Sequence, residues 1–299
     1  MVSVRRPFRA LIAALALLPL AACDEVGATA EDVETAVDDA VIARQSGDYD
    51  QAVEILEDAL KREPENAEVR VELATTVLER DGIDLLDVDR IAQFVTRATG
   101  EGAPAAPAEP GARAACRYAA DPTARPFNPV DVAGFEDLAR SAGSVSRALD
   151  LLGPVVPPAL QSFDVCTSVA DGALDYDRDG AVAALRARGL SEGQVRQTLA
   201  VNALARFIDA YLYVSTELPE QTTWYRLSDG SVAICVEDED AVRDQAEAAV
   251  QDFGEAVLSL DARASLMGGG SAAADIVDLA LDAYEDLRDA IADYCSSEG

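Results

Sequence analysis

The sequence predicts an all-α protein: a set of helical hairpins followed by a larger helical domain with one small β-hairpin. Three observations predict this. Apolar residues recur at helical spacing from about Ala36 to Arg80, from Ser191 to Leu218 and from Glu239 to Cys295. Gly47, Pro64, Gly82, Pro219 and Gly268–Gly270 punctuate those runs. Strand patterning occurs around one Asp-Gly turn, between Thr223 and Val236.

The chain opens with a leader. Arg5, Arg6 and Arg9 precede an apolar run from Ala10 to Leu20, too short to span a bilayer and built like a secretory signal. Leu20-Ala21-Ala22-Cys23 resembles the lipobox of bacterial lipoproteins. That resemblance implies cleavage before Cys23, diacylglycerol on its sulfur and acylation of the new amino terminus. Several acyl chains hold a membrane stably, at about 0.8 kcal/mol per buried CH₂. Residues 1–22 are expected as signal peptide and 23–30 as an acidic tether, on the periplasmic side of the inner or outer membrane. Leu199 to Leu218 comes closest to a further span, but Arg206, Asp209 and Glu217 make it a buried soluble helix.

Residues 31–100 read as helical hairpins. Gly47 ends one helix and Asp48 caps the next. Tyr49, Ala52, Val53, Leu56, Ala59 and Leu60 form its apolar face, with Glu54, Glu57, Asp58 and Lys61 opposite. Pro64 stops that helix, and Asn66 caps a third whose face is Val69, Leu73, Ala74 and Val77. Gly47, Tyr49, Ala52, Ala59 and Pro64 together resemble a tetratricopeptide (TPR) repeat, a helix–turn–helix unit of about 34 residues. The resemblance covers about one and a half repeats. It implies stacked helices whose surface docks a protein or peptide. Stable stacks need about three repeats, so the rest of the chain must supply the missing faces.

A helix is expected from Val88 to Thr99, then an Ala/Pro-rich linker over residues 101–128. The helical domain, 129–299, opens with helices at Val130–Ser141 and Ser144–Leu152 and another carrying Leu160, Phe163 and Cys166. Ser191 and Gln194 form a capping box that opens a core helix with Val195, Leu199, Ala203, Phe207 and Tyr211 on one face. The β-hairpin follows. Helices Glu239–Leu266 and Ala272–Cys295, joined by a glycine turn, finish the chain.

Two constellations carry candidate chemistry. Asp175-Tyr176-Asp177-Arg178-Asp179-Gly180 resembles the opening of an EF-hand calcium loop, which implies a structural calcium ion on Asp175, Asp177 and Asp179. Arg186 stands where the closing acid belongs. The residues alone also fit a capped helix start with acids at the positive end of the dipole. With Cys23 set aside, Cys116, Cys166, Cys235 and Cys295 suggest two disulfides, with three connectivities open. An antiparallel return of the last helix favours Cys235–Cys295, leaving Cys116–Cys166.

The net charge is -31, and loss of Arg5, Arg6 and Arg9 with the leader deepens it by three. Phosphate-backbone binding needs clustered Lys and Arg, so nucleic acid is excluded as a partner. Histidine is absent, which removes Ser-His-Asp and Cys-His catalysis and His-ligated zinc. The expectation is a non-enzymatic, membrane-anchored binding or scaffolding module for an envelope complex. The alternatives are a calcium-stabilised structural envelope protein, and a solute-binding component or carboxylate-using enzyme.

Overall fold

The computed structural model describes residues 30–83, 125–127, 141–164, 166–170, 173–213, 222–226, 228, 232–236, 239–267, 277–278 and 280–281. These are mostly helical. Helix α1 is Ala30–Gln45, α2 is Tyr49–Arg62 and α3 is Ala67–Arg80. Gly47, at φ +82°, makes the left-handed exit from α1, and the Asp48 N–H donates back to the Ala43 carbonyl at 2.9 Å. Asp48 then accepts the Gln51 N–H at 3.3 Å and starts α2. Asn66 starts α3 in the same way, accepting from Val69 at 3.1 Å. Gly82, at φ +84°, repeats the Gly47 exit at the end of α3.

Helix α4 is Ala142–Leu152, α5 is Arg178–Ala187, α6 is Glu192–Leu212 and α7 is Glu239–Met267. The helices α1, α2, α3, α4, α6 and α7 pack each against the next, giving hairpins α1/α2, α3/α4 and α6/α7. Ala52 and Ala59 are fully buried where α2 is pressed between its neighbours. Arg70 at the start of α3 donates to the Leu151 carbonyl at the end of α4, and Ser144 at the start of α4 reaches Asp81 at the end of α3. The second hairpin is therefore antiparallel. One apolar core runs from Val33 in α1 to Ala280, across the segment expected as a linker. The faces that the repeat lacks are thus supplied by α4, α6 and α7.

Three expectations need correction. The β-hairpin, β4 (Thr222–Arg226) with β5 (Val232–Val236), has a third strand, β1 (Arg125–Phe127), antiparallel to β4. Those three residues fall inside the stretch read as linker; two strands alone are marginal, and β1 gives β4 a partner on its second edge. Leu160, Phe163 and Cys166 do not share a helix. Pro158–Leu160 is a single 3₁₀ turn, after which Asp164 accepts the Cys166 N–H at 2.8 Å and turns the chain into β2 (Val169–Ala170) and β3 (Ala173–Leu174). Helix α4 also begins at Ala142, two residues earlier than read. The expected helices at Val88–Thr99 and Val130–Ser141 and most of Ala272–Cys295 lie outside the described residues. Among the described residues no helix is long and apolar enough to cross a membrane.

Candidate functional site

The first helices of the three hairpins, α1, α3 and α6, meet along one side of the stack. Near the end of α1, Arg44 reaches Glu72 of α3 at 3.0 Å and Glu79 at 3.6 Å. At the start of α6, Gln194 donates to Glu68 at the start of α3, and Gln197 donates to Thr75 at 3.1 Å. These contacts make the three helices run in the same direction, as the first helices of successive repeats do. Burial raises the Glu68 carboxyl above its ordinary range, the Gln194 hydrogen bond opposes that, and Glu72, Glu34 and Asp38 add to it.

This side is closed by its own contacts. From Val71 to Leu78 every residue of α3 is buried, and Glu72 is only 7% exposed. Thr75 and Thr76 turn their hydroxyls back onto the carbonyls of Val71 and Glu72, at 2.8 and 2.7 Å. Exposure falls instead on the outer sides of α1 and α2, at Asp32, Glu34, Asp38, Asp39, Asp50, Glu54 and Asp58. Among them stands Ile42, 61% exposed.

The acidic loop folds as a helix start. Asp177 is the N-cap of α5 and accepts the Gly180 N–H at 2.9 Å, so Asp179, Gly180 and Ala181 already lie in the helix. Gly180 lacks the left-handed φ of Gly47, Gly82 and Gly189. Arg186 forms an ion pair with Glu192 at 2.8 Å. Asp175, Asp177 and Asp179 are not brought together: among the described residues no three His, Cys, Asp or Glu side chains converge in a way that could hold a metal ion. Beside the cap, the Tyr176 hydroxyl donates to Asp261 of α7 at 2.7 Å, and Arg178 approaches the same carboxylate at 3.4 Å. Burial, then Asp261, raises the Tyr176 hydroxyl far above its ordinary value. An open cleft of about 470 Å³ adjoins these residues, with Asp278 and Leu281 on its far wall.

Cys166 and Cys235 each take part in a disulfide. Cys23, Cys116 and Cys295 lie outside the described residues, and the connectivity with them.

The sequence reading missed a buried charge cluster between α6 and α7, in which Arg206 meets Asp252 and Glu255. The signal was present: one arginine within an apolar helix face, and two acids three positions apart in another helix.

Residues 43–83 match the model of the tetratricopeptide repeat family. That span holds the end of α1, all of α2 and α3, and both glycine exits. The repeat is a protein–protein interaction module, in a fold family that is typically non-enzymatic. No curated protein and no solved structure matched the chain.

Proposed function

We propose that the chain is a lipid-anchored binding or scaffolding module of the bacterial cell envelope, tethered through Cys23 and facing the periplasm, which holds a protein or peptide partner of an envelope complex. The observation that carries the binding part is the repeat match at residues 43–83, folded as helical hairpins in a longer stack. The lipobox-like Leu20-Ala21-Ala22-Cys23 supports the anchor, and the absence of histidine weighs against catalysis. Because α3 is enclosed, the docking surface in this reading is the outer side of α1 and α2 around Ile42, not a groove along α3.

Two variants test the two parts. Cys23→Ser releases the protein into the soluble fraction with its helical content unchanged; continued membrane retention refutes the anchor. Ile42→Asp, at an exposed position, leaves the melting temperature near wild type and abolishes in-cell crosslinks to the partner recovered with wild-type protein. Identical crosslinks from both proteins refute docking on this surface. Turnover of a small envelope solute by the purified chain, with no crosslinked partner, overturns the binding reading in favour of an enzyme.

A further inference from the structure

The α6/α7 hairpin contains an ion cluster in which, among the described residues, two carboxylates meet one cation. Arg206 of α6 extends one guanidinium between two carboxylates of α7: Nη1 bonds Asp252, and Nη2 lies 3.0 Å from Glu255 Oε2. Glu255 is 1% exposed. Its Oε1 accepts from Gln251 at 3.0 Å, but Oε2 faces Nη2 without hydrogen-bond alignment, and the Arg206 Nε–H is buried with no acceptor. Apolar residues neighbour the cluster along both helices. Phe207 and Phe253 lie with ring centroids 5.5 Å apart, and Val257 and Leu258 are buried one turn on. Among the described residues two carboxylates share one cation here, which leaves a surplus negative charge where desolvation is costly.

We propose that the Arg206–Asp252–Glu255 cluster is a proton-operated clamp: a proton bound by Glu255 tightens the α6/α7 hairpin. A protonated Glu255 leaves a neutral Arg206–Asp252 pair and an uncharged acid in the interface. Among the described residues, the charged groups acting on Glu255 are Arg206 from α6 and Asp252 from α7 itself, and Gln251 is a further polar neighbour. Asn202 of α6, bonded to Ser259 at 2.9 Å, is neutral. Helix α5 packs on α7 further along and directs its Arg178 to Asp261. Burial raises the Glu255 carboxyl above the ordinary 4.5; Arg206 and Gln251 oppose this, and Asp252 adds to it. A raised carboxyl binds a proton more tightly in the folded state than in the unfolded one. Its stabilising contribution is therefore complete below 4.5 and is lost as pH rises through the raised value.

The test is thermal melting of the wild type and Glu255→Gln from about pH 4.5 to about pH 8 at fixed ionic strength, with exposed Glu54→Gln as the control for the overall negative charge. Glutamine keeps the size and carries no charge. The expected result is a Glu255→Gln melting temperature above wild type at the alkaline end, with the difference closing towards the acidic end, and no such trend for Glu54→Gln. A difference that does not change with pH, or a variant less stable at the alkaline end, overturns the proposal. Should Glu255→Gln fail to fold, carboxyl ¹³C titration of glutamate-labelled wild type decides. Besides the resonance removed by Glu68→Gln, one further glutamate titrating above the ordinary range supports the clamp, and none overturns it.

Discussion

Gly254 sits in the middle of α7 with the Phe163 ring laid on it. A Cβ built there would stand 2.0 Å from Phe163 Cδ1 and 2.1 Å from Cγ. Glycine inside a helix ordinarily weakens it, and alanine would return about 1 kcal/mol of helix propensity. Overpacking a core costs about 1–3 kcal/mol. The atoms met are the ring carbons nearest the backbone, so rotating the ring does not clear them, and the upper part of that range applies. Phe163 is also held by the turn that follows it, where Asp164 accepts from Cys166. Gly254→Ala is therefore expected to lose about 2 kcal/mol net, and each kcal/mol lowers the melting temperature by about 2–4 °C in a domain of this order. Thermal melts of the wild type, Gly254→Ala, Phe163→Ala and the double variant measure it. Phe163→Ala alone costs about 3–5 kcal/mol, and in its background Gly254→Ala becomes neutral or stabilising. A Gly254→Ala protein that melts at or above the wild-type temperature refutes the contact.

Other expectations follow from single contacts. Asp177→Ala removes the α5 cap and costs about 1 kcal/mol, by the same amount in calcium and in chelator at matched ionic strength; a loss confined to calcium would favour the EF-hand reading instead. Arg44→Met leaves Glu72 uncompensated in a site where the two side chains are 16% and 9% exposed, and is expected to cost about 3 kcal/mol in denaturant unfolding. Arg44→Met with Glu72→Leu recovers most of that loss, and a double variant no better than the single would show that the pair is not the cause. Non-reduced peptide mapping is expected to join Cys235 to Cys295 and Cys116 to Cys166, and a Cys116–Cys295 peptide would overturn that pairing.

Local chemistry was legible in the sequence wherever it decides structure alone. Gly47, Asp48 and Asn66 act as the exit and caps that their types dictate, and Ser191 with Gln194 forms the capping box. The third hairpin was not legible as part of the stack. A β-hairpin stands between α6 and α7, and a long segment separates α3 from α4, so the repeat's spacing is broken after residue 83 even though the packing continues. Pairings across long separations, such as β1 with β4, leave no local pattern. The acidic loop was ambiguous for a different reason: Asp at a helix cap and Asp at a calcium ligand position use the same residue types, and the sequence does not show the backbone at Gly180 that distinguishes them.

The enclosure of α3 constrains what binding this chain can do. A stacked repeat normally offers its concave side to a partner. Here Arg44, Glu68, Thr75, Gln194 and Gln197 tie the corresponding helices to one another, and a partner entering there would have to replace those contacts as well as make its own. The outer side of α1 and α2 is free of that competition, but it is acidic and offers one large exposed aliphatic side chain, Ile42. Such a surface contributes little apolar burial. Its charge acts over about 8–10 Å at ordinary ionic strength and works chiefly on encounter rates and discrimination between partners. Binding on this side should therefore weaken steeply with added salt, whereas a partner inserted against α3 would be held mainly by buried contacts and respond weakly to it.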